Sequence, residues 1–65
     1  ANGASSKKDF RNKAHICKKE AQETKHWLRM LGTAAPKHKE ELRVLWQEAH
    51  EFVLIFQKIT ASLKQ

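Results

Sequence analysis

Cationic side chains recur along one flank of the first half of the sequence, at intervals that a helix would bring into line. With spacings that alternate between 3 and 4 residues, the row is Lys8, Arg11, His15, Lys18, Gln22, Lys25 and Arg29. Five of its seven members are fixed cations, and none is acidic. On a helix the row would extend over about 31 Å, at 1.5 Å per residue. Like charges at these spacings repel one another, so the row gives an isolated helix no stability. It suits a polyanion such as a nucleic-acid backbone.

Two interpretations of this row stay open. In the first, phosphates of RNA or DNA are neutralised without any reading of bases, and the binding residues are Lys8, Arg11, Lys18, Lys25 and Arg29. In the second, the row is a solvated face of a structural or protein-interaction module that has no nucleic-acid role. The net charge of the chain is +6, and the segment from Lys7 to Leu31 carries eight cations and three acids, or +5. The basic character therefore belongs to the first helix and largely to one flank of it.

Other chemistry finds less support in the sequence. Glu20 and Glu23 lie between Ile16 and Trp27 on another flank. They could be paired catalytic carboxylates, but ion pairs with cations of a neighbouring helix are the favoured interpretation. The four histidines occupy unrelated helical positions and form no metal-ligand spacing. We therefore expect no catalytic residue, no metal, no cofactor and no enzymatic activity.

Two long helices would position the basic row. Ser6 and Asp9 form a helix-start signal, and Gly32 is suited to end a helix in the left-handed conformation. Pro36 suits the first turn of a second helix. The pattern predicts an irregular lead-in and then a helical hairpin over 6–65, with the boundaries 1–5 for the lead-in, about 7–31 for the first helix, 32–35 for the turn and about 36–63 for the second helix.

Each predicted helix carries an apolar seam of the heptad type, which is typical of helices packed in bundles. The first seam is Phe10, Ala14, Cys17, Ala21, Thr24, Leu28 and Leu31. The second seam is Leu42, Leu45, Ala49, Phe52, Phe56, Ile59 and Leu63. Cys17 is predicted to be a small core residue, and Trp27 and Trp46 are expected in the core beside the seams. An additional stripe on the second helix consists of Trp46, Val53 and Thr60.

We expect the hairpin to need further helices for a stable core, because the chain is short and its second helix is apolar on several sides. At 65 residues with a single cysteine, it has neither a large core nor a disulfide to stabilise it. The segment 52–56 is apolar on every side, so one partner helix cannot cover it. The predicted fold class is all-α, an antiparallel helical hairpin that forms half of an up-and-down four-helix bundle, completed by other chains or by a missing N-terminal half.

The sequence contains no apolar run long enough to predict a membrane span, and we expect no membrane partner. The single thiol suits a reducing compartment. We therefore expect a cytoplasmic location.

Particular residues resemble the bacterial "four helix bundle protein" family, which includes proteins encoded in intervening sequences of large-subunit ribosomal RNA genes. The resemblance begins with Ser6, Asp9 and Phe10, and its most specific part is the block Lys19-Glu20-Ala21-Gln22-Glu23-Thr24-Lys25-His26-Trp27-Leu28-Arg29-Met30-Leu31. The stretch 48–52 is similar to the family's last helix, and together the similar segments span 2–64.

The resemblance implies helices three and four of a four-helix bundle, because family members are about twice as long and have two more helices ahead of the serine–aspartate–phenylalanine motif. The family is also similar to accessory proteins of diversity-generating retroelements. Those proteins form homopentamers, contact a reverse transcriptase and bind nucleic acid through basic surface. By this analogy the implied partners are further copies of the chain, a missing N-terminal helix pair, RNA or DNA, and a reverse transcriptase.

Overall fold

The computed structural model describes the backbone of residues 3–63 and the side chains of residues 6–63. These residues form helix α1, Gly3–Ala34, a single 3₁₀ turn, Pro36–His38, and helix α2, Lys39–Ser62. The two helices pack side by side, and contacts such as Lys25 with His50 show that they run antiparallel. The predicted all-α helical hairpin is thereby confirmed for the described residues.

The end of α1 lies three residues beyond the predicted one, because proline and not glycine ends the helix. Gly32 stays helical, and no residue of the described backbone has a left-handed φ. Ala35 leaves the helix with φ −132° and ψ 72°, as expected for a residue that precedes proline. Its N–H still donates to the carbonyl of Leu31 at 2.7 Å. The prediction that Gly32 caps the helix was therefore wrong.

The other boundaries differ from the predicted ones by a few residues. Helix α1 already includes Gly3, so Ser6 does not cap it; of the predicted lead-in, residues 1 and 2 lie outside the described residues. Helix α2 begins at Lys39 because the first turn after Pro36 is 3₁₀. Glu40 and Glu41 lie in the first turn of α2, where the helix dipole favours acidic side chains.

The contact between the helices has the predicted heptad period but a rotated phase. Buried or half-buried residues on α1 are Arg11, Ala14, Lys18, Ala21, Lys25, Leu28 and Gly32. Buried or half-buried residues at the matching positions on α2 are Leu42, Trp46, Ala49, Val53, Phe56, Thr60 and Leu63. The α1 seam thus alternates apolar residues with members of the basic row. The additional stripe predicted on α2 belongs to the contact itself.

The rest of the predicted seams forms an exposed surface, which we call the apolar face. It consists of Phe10, Cys17, Thr24, Leu31, Leu45, Phe52 and Ile59, of which all but the half-buried Ile59 are exposed. At 100° per residue, these residues lie on the same side of the antiparallel pair. Thr24 and Phe52 indeed line one groove of about 370 Å³ between the helices. The predictions that Cys17 and Trp27 are core residues were wrong, since both are exposed.

The side chains at the centre of the contact are small. The buried apolar residues are Ala14, Ala49 and Val53, at 3–5% exposure. Small side chains allow the two backbones to approach closely, and the stems of the half-buried lysines can cover the edges of the contact. Some larger hydrophobic residues, such as Trp46 and Phe56, are half-buried at the contact, and others are exposed. In the described part of the chain neither helix is long and apolar enough to cross a membrane.

We expect Gly32→Ala to stabilise the hairpin. The position is helical, and an added Cβ would lie 4.0 Å from the Leu42 Cδ1 atom, which is ordinary van der Waals contact. Removing the entropic cost of a helical glycine should raise the free energy of unfolding by up to about 1 kcal/mol. Thermal unfolding followed by circular dichroism would measure this as a rise in Tm. A fall in Tm would contradict the helical conformation of Gly32.

We expect Val53→Ala to lower the free energy of unfolding more than Leu54→Ala does, although valine is the smaller side chain. Val53 is 3% exposed and Leu54 is 49% exposed. Truncation of the buried valine should cost about 2 kcal/mol, whereas truncation of the exposed leucine should cost less than about 0.5 kcal/mol. Urea unfolding of the two variants at one protein concentration would compare them. An equal or larger loss for Leu54→Ala would show that the helices contact each other through a different seam.

Candidate nucleic-acid interface

The five predicted binding residues occupy two kinds of position on α1. Arg11, Lys18 and Lys25 are half-buried in the contact with α2, whereas Lys8 and Arg29 are exposed. From the sequence, all five were predicted to lie on one flank of the helix, apart from the seam. Because the seam is rotated towards that flank, the basic row runs along the edge of the helix contact and lies next to residues of α2.

The C-terminal end of the basic row meets an aromatic cluster on α2. The Lys25 Nζ atom lies 2.9 Å from the His50 Nδ1 atom and 4.6 Å from the centre of the Trp46 ring. The Arg29 Cζ atom lies 5.9 Å from the same ring centre. The Trp46 and His50 rings stack at 5.3 Å with an angle of 11° between their planes. Lysine can only donate here, so the His50 Nδ1 atom accepts the hydrogen bond.

This cluster holds the Trp46 indole in a defined orientation. An acceptor nitrogen receives its hydrogen bond near the plane of the imidazole ring. The His50 imidazole is nearly parallel to the indole, and the Lys25 ammonium over the ring adds a cation–π attraction. Groups from both helices thus contact the indole.

A cleft lies beside Trp46, towards the turn. It has a volume of about 550 Å³ and is lined by Leu28, Arg29, Gly32, Thr33, Pro36, Lys39, Leu42, Arg43 and Trp46. Most of its α2 residues precede Trp46 by one or two turns, whereas His50 follows Trp46 by one turn. The lining residues of the cleft include an indole, two leucines and three cations, and they include no acid.

Lys39 and Arg43 are cations of the site that sequence reasoning missed. They lie on α2, whose net charge is small, so a search for charge runs passes over them. The available signal was their spacing: both precede Trp46 on one flank of α2, at distances of seven and three residues. Arg43 also faces Glu40, with 3.9 Å between its Nε atom and a carboxylate oxygen. Such an exposed pair contributes little energy and leaves the arginine available to a ligand.

The other candidate residues are not brought together with the cleft. Glu20 and Glu23 are exposed, and within the described residues neither forms an ion pair. The ion pairs predicted for them with a further helix stay a prediction. His38 pairs with Glu41 at 3.1 Å, and His26 packs edge-on against Trp27. Over residues 6–63 no cluster of histidine, cysteine, aspartate or glutamate is arranged to hold a metal ion.

Comparison with known proteins gives no match to a protein-family model, and it finds no significantly similar curated protein or solved structure. The resemblance to the four helix bundle proteins therefore stays a prediction. What can be said about function follows from the basic row, the cleft and the apolar face.

We expect Lys25→Met to destabilise the hairpin more than Lys18→Met does. Both lysines are half-buried at equivalent heptad positions, and methionine keeps an unbranched stem at each. Only Lys25 has a histidine and an indole as partners. Removal of its ammonium should lower the free energy of unfolding by about 1 kcal/mol relative to the Lys18 variant. Urea unfolding followed by circular dichroism would compare them, and equal values would mean that the cluster contributes no stability.

Proposed function

We propose that the chain is a non-enzymatic subunit of an oligomeric helical bundle and that it binds RNA or DNA through phosphate contacts. The observation that carries the proposal is the arrangement of cations on one side of the hairpin. The basic row of α1 leads into the cleft, where Lys39 and Arg43 of α2 join Arg29. In the cleft, cations from both helices lie together, and no acidic side chain is among the lining residues.

The exposed cations suit phosphate binding better than they suit a structural role. Arg29 and Lys39 are exposed and have no carboxylate partner among the described residues. Like charges close together raise the energy of the free hairpin, and a bound polyanion would relieve this repulsion. Arginine adds a planar fork that can contact two phosphate oxygens at once. Contacts of this kind give affinity that depends on salt and little on base sequence.

The apolar face supports the oligomeric part of the proposal. Phe52 and Leu31 are more than half exposed there, and Leu45 is nearly so. Contiguous apolar surface of this kind marks an interaction site. The proposed occupants are other copies of the chain or a preceding helix pair, which would complete a four-helix bundle. Because the apolar face and the cleft lie on opposite sides of the hairpin, assembly would leave the cations accessible.

Assembly would also strengthen nucleic-acid binding. Several weak phosphate sites on one particle act together, since the second contact is intramolecular once the first has formed. By resemblance alone, the assembly would be a pentamer and a reverse transcriptase would be its protein partner. The proposed setting is the cytosol, where the single thiol, Cys17, stays reduced.

A second candidate function is a protein-interaction module with no nucleic-acid role. The observation that favours it is the balance between exposed and buried apolar side chains. Among residues 6–63, ten large hydrophobic residues are 48–58% exposed, whereas the buried apolar residues are two alanines and one valine. In this alternative the cations serve only to keep the surface solvated.

We expect the double variant Lys8→Glu with Arg29→Glu to bind a generic RNA or DNA oligonucleotide at least about tenfold more weakly at 50 mM salt. Both residues are exposed members of the basic row. Loss of two phosphate contacts should reduce the slope of log affinity against log salt by about two. Fluorescence anisotropy across a salt titration would give both quantities.

The matched control is Lys13→Glu with Lys58→Glu, which changes the net charge equally at two exposed positions outside the row. It should keep the salt slope of the unmodified protein. Equal slopes for the two double variants would contradict the assigned surface. Absence of binding by the unmodified protein at low salt would leave the protein-interaction module as the function.

A further inference from the structure

We propose that the cleft beside Trp46 binds one nucleotide of a single-stranded nucleic acid. Its base would lie against the indole and the neighbouring leucines, and its phosphate would lie between Arg29, Lys39 and Arg43. This inference rests on the proposed function, because it specifies which form of nucleic acid the basic row binds. It adds a base-stacking site to a surface that otherwise contacts phosphates alone.

The composition of the cleft matches the two parts of a nucleotide. Leu28, Leu42 and Trp46 supply an apolar, aromatic surface, and the three cations supply charge. A volume of about 550 Å³ falls within the range of small-molecule sites in proteins. The indole and the two leucines beside the cations have no role in a solvated polar surface, and they have none in a site that contacts phosphate alone.

The Trp46 indole is available for stacking where it lines the cleft. His50 and the Lys25 ammonium contact the ring but are not among the residues that line the cleft. Bases stack on aromatic side chains whatever their identity, because every base has a π-face. Arg29 borders both the ring and the cleft, and its guanidinium can contact a phosphate while the base stacks.

The geometry favours a single strand over a duplex. In a duplex the bases are stacked on one another, and reaching a pocket requires that one base be flipped out at an energetic cost. In a single strand the bases are free to splay away from the backbone. The basic row leads towards the cleft along α1. A single nucleic-acid strand that follows the row can therefore place one base beside Trp46 without any duplex being disrupted.

The cleft stays accessible when the hairpin assembles. It opens on the side of Arg29 and Arg43, whereas the groove of the apolar face opens on the side of Thr24 and Phe52. A partner that covers the apolar face therefore does not fill the cleft. This placement distinguishes the cleft from a gap that a further helix of the bundle would close.

The binding experiment compares a ten-nucleotide single strand with a duplex of the same sequence, using the unmodified chain and Trp46→Leu. Leucine keeps an apolar side chain in the helix contact and removes the stacking surface. We expect the substitution to weaken single-strand binding about tenfold, to leave duplex binding within about twofold, and to leave the salt slope unchanged for both. Equal weakening of both would overturn the stacking site, as would no weakening of either.

A second measurement does not depend on the variant folding. In an NMR titration of the unmodified chain with uridine or adenosine monophosphate, the Trp46 indole N–H signal should shift. The signal of Trp27, which is 58% exposed and does not line the cleft, serves as the internal control. An unchanged Trp46 signal, or equal shifts of both, would overturn the inference. Inorganic phosphate in a parallel titration should shift Trp46 less.

The outcomes separate this inference from the proposed function. If single strand and duplex bind alike and the nucleotide leaves Trp46 unchanged, the stacking site is refuted and the phosphate-binding function stands. If neither nucleic acid binds and Trp46 still shifts with nucleotide, the function fails and the cleft is a site for free nucleotides. If the mononucleotide binds as tightly as the ten-nucleotide strand, the free nucleotide is the ligand and the assignment to a strand is overturned.

Discussion

The close approach of α1 and α2 through small side chains is the constraint on which the other features depend. Ala14, Ala49 and Val53 are the buried apolar residues of the contact, and none of them is large. Two helices that meet through such residues leave little room between their backbones. Larger side chains at the contact, such as Trp46 and Phe56, are only half-buried, most other large hydrophobic residues are exposed, and the hairpin gains only modest apolar burial. A weak core and an exposed apolar face therefore have the same cause.

The same contact sets the environment of the basic row. Three of its cations alternate with small apolar residues along the seam, so their stems cover the edges of the contact while their charged ends reach solvent or α2. At the turn end, this brings the Lys25 ammonium to 2.9 Å from His50 and over Trp46. Lys25 precedes Trp46 by 21 residues and His50 by 25 residues. Only the antiparallel packing places it next to them.

The two sides of the hairpin are suited to different partners. One side combines cations with an indole, which fits phosphates and bases. The other presents leucine and phenylalanine side chains around a groove, which fits a helix. Since each side is formed by both helices, a change in their packing would alter both surfaces at once. The proposed assembly and the proposed nucleic-acid binding would thus depend on one contact without competing for the same surface.

Period and composition were determined by the sequence alone. The alternating spacings of 3 and 4 residues required two helices, the short connection at Pro36 required an antiparallel hairpin, and the basic row was visible residue by residue. The phase of the contact was not determined, because α2 is apolar on several sides and any of its stripes could face α1. Only the tertiary structure selected the stripe of Trp46, Ala49 and Val53. The cleft and its α2 cations follow from that arrangement, because both helices line the cleft.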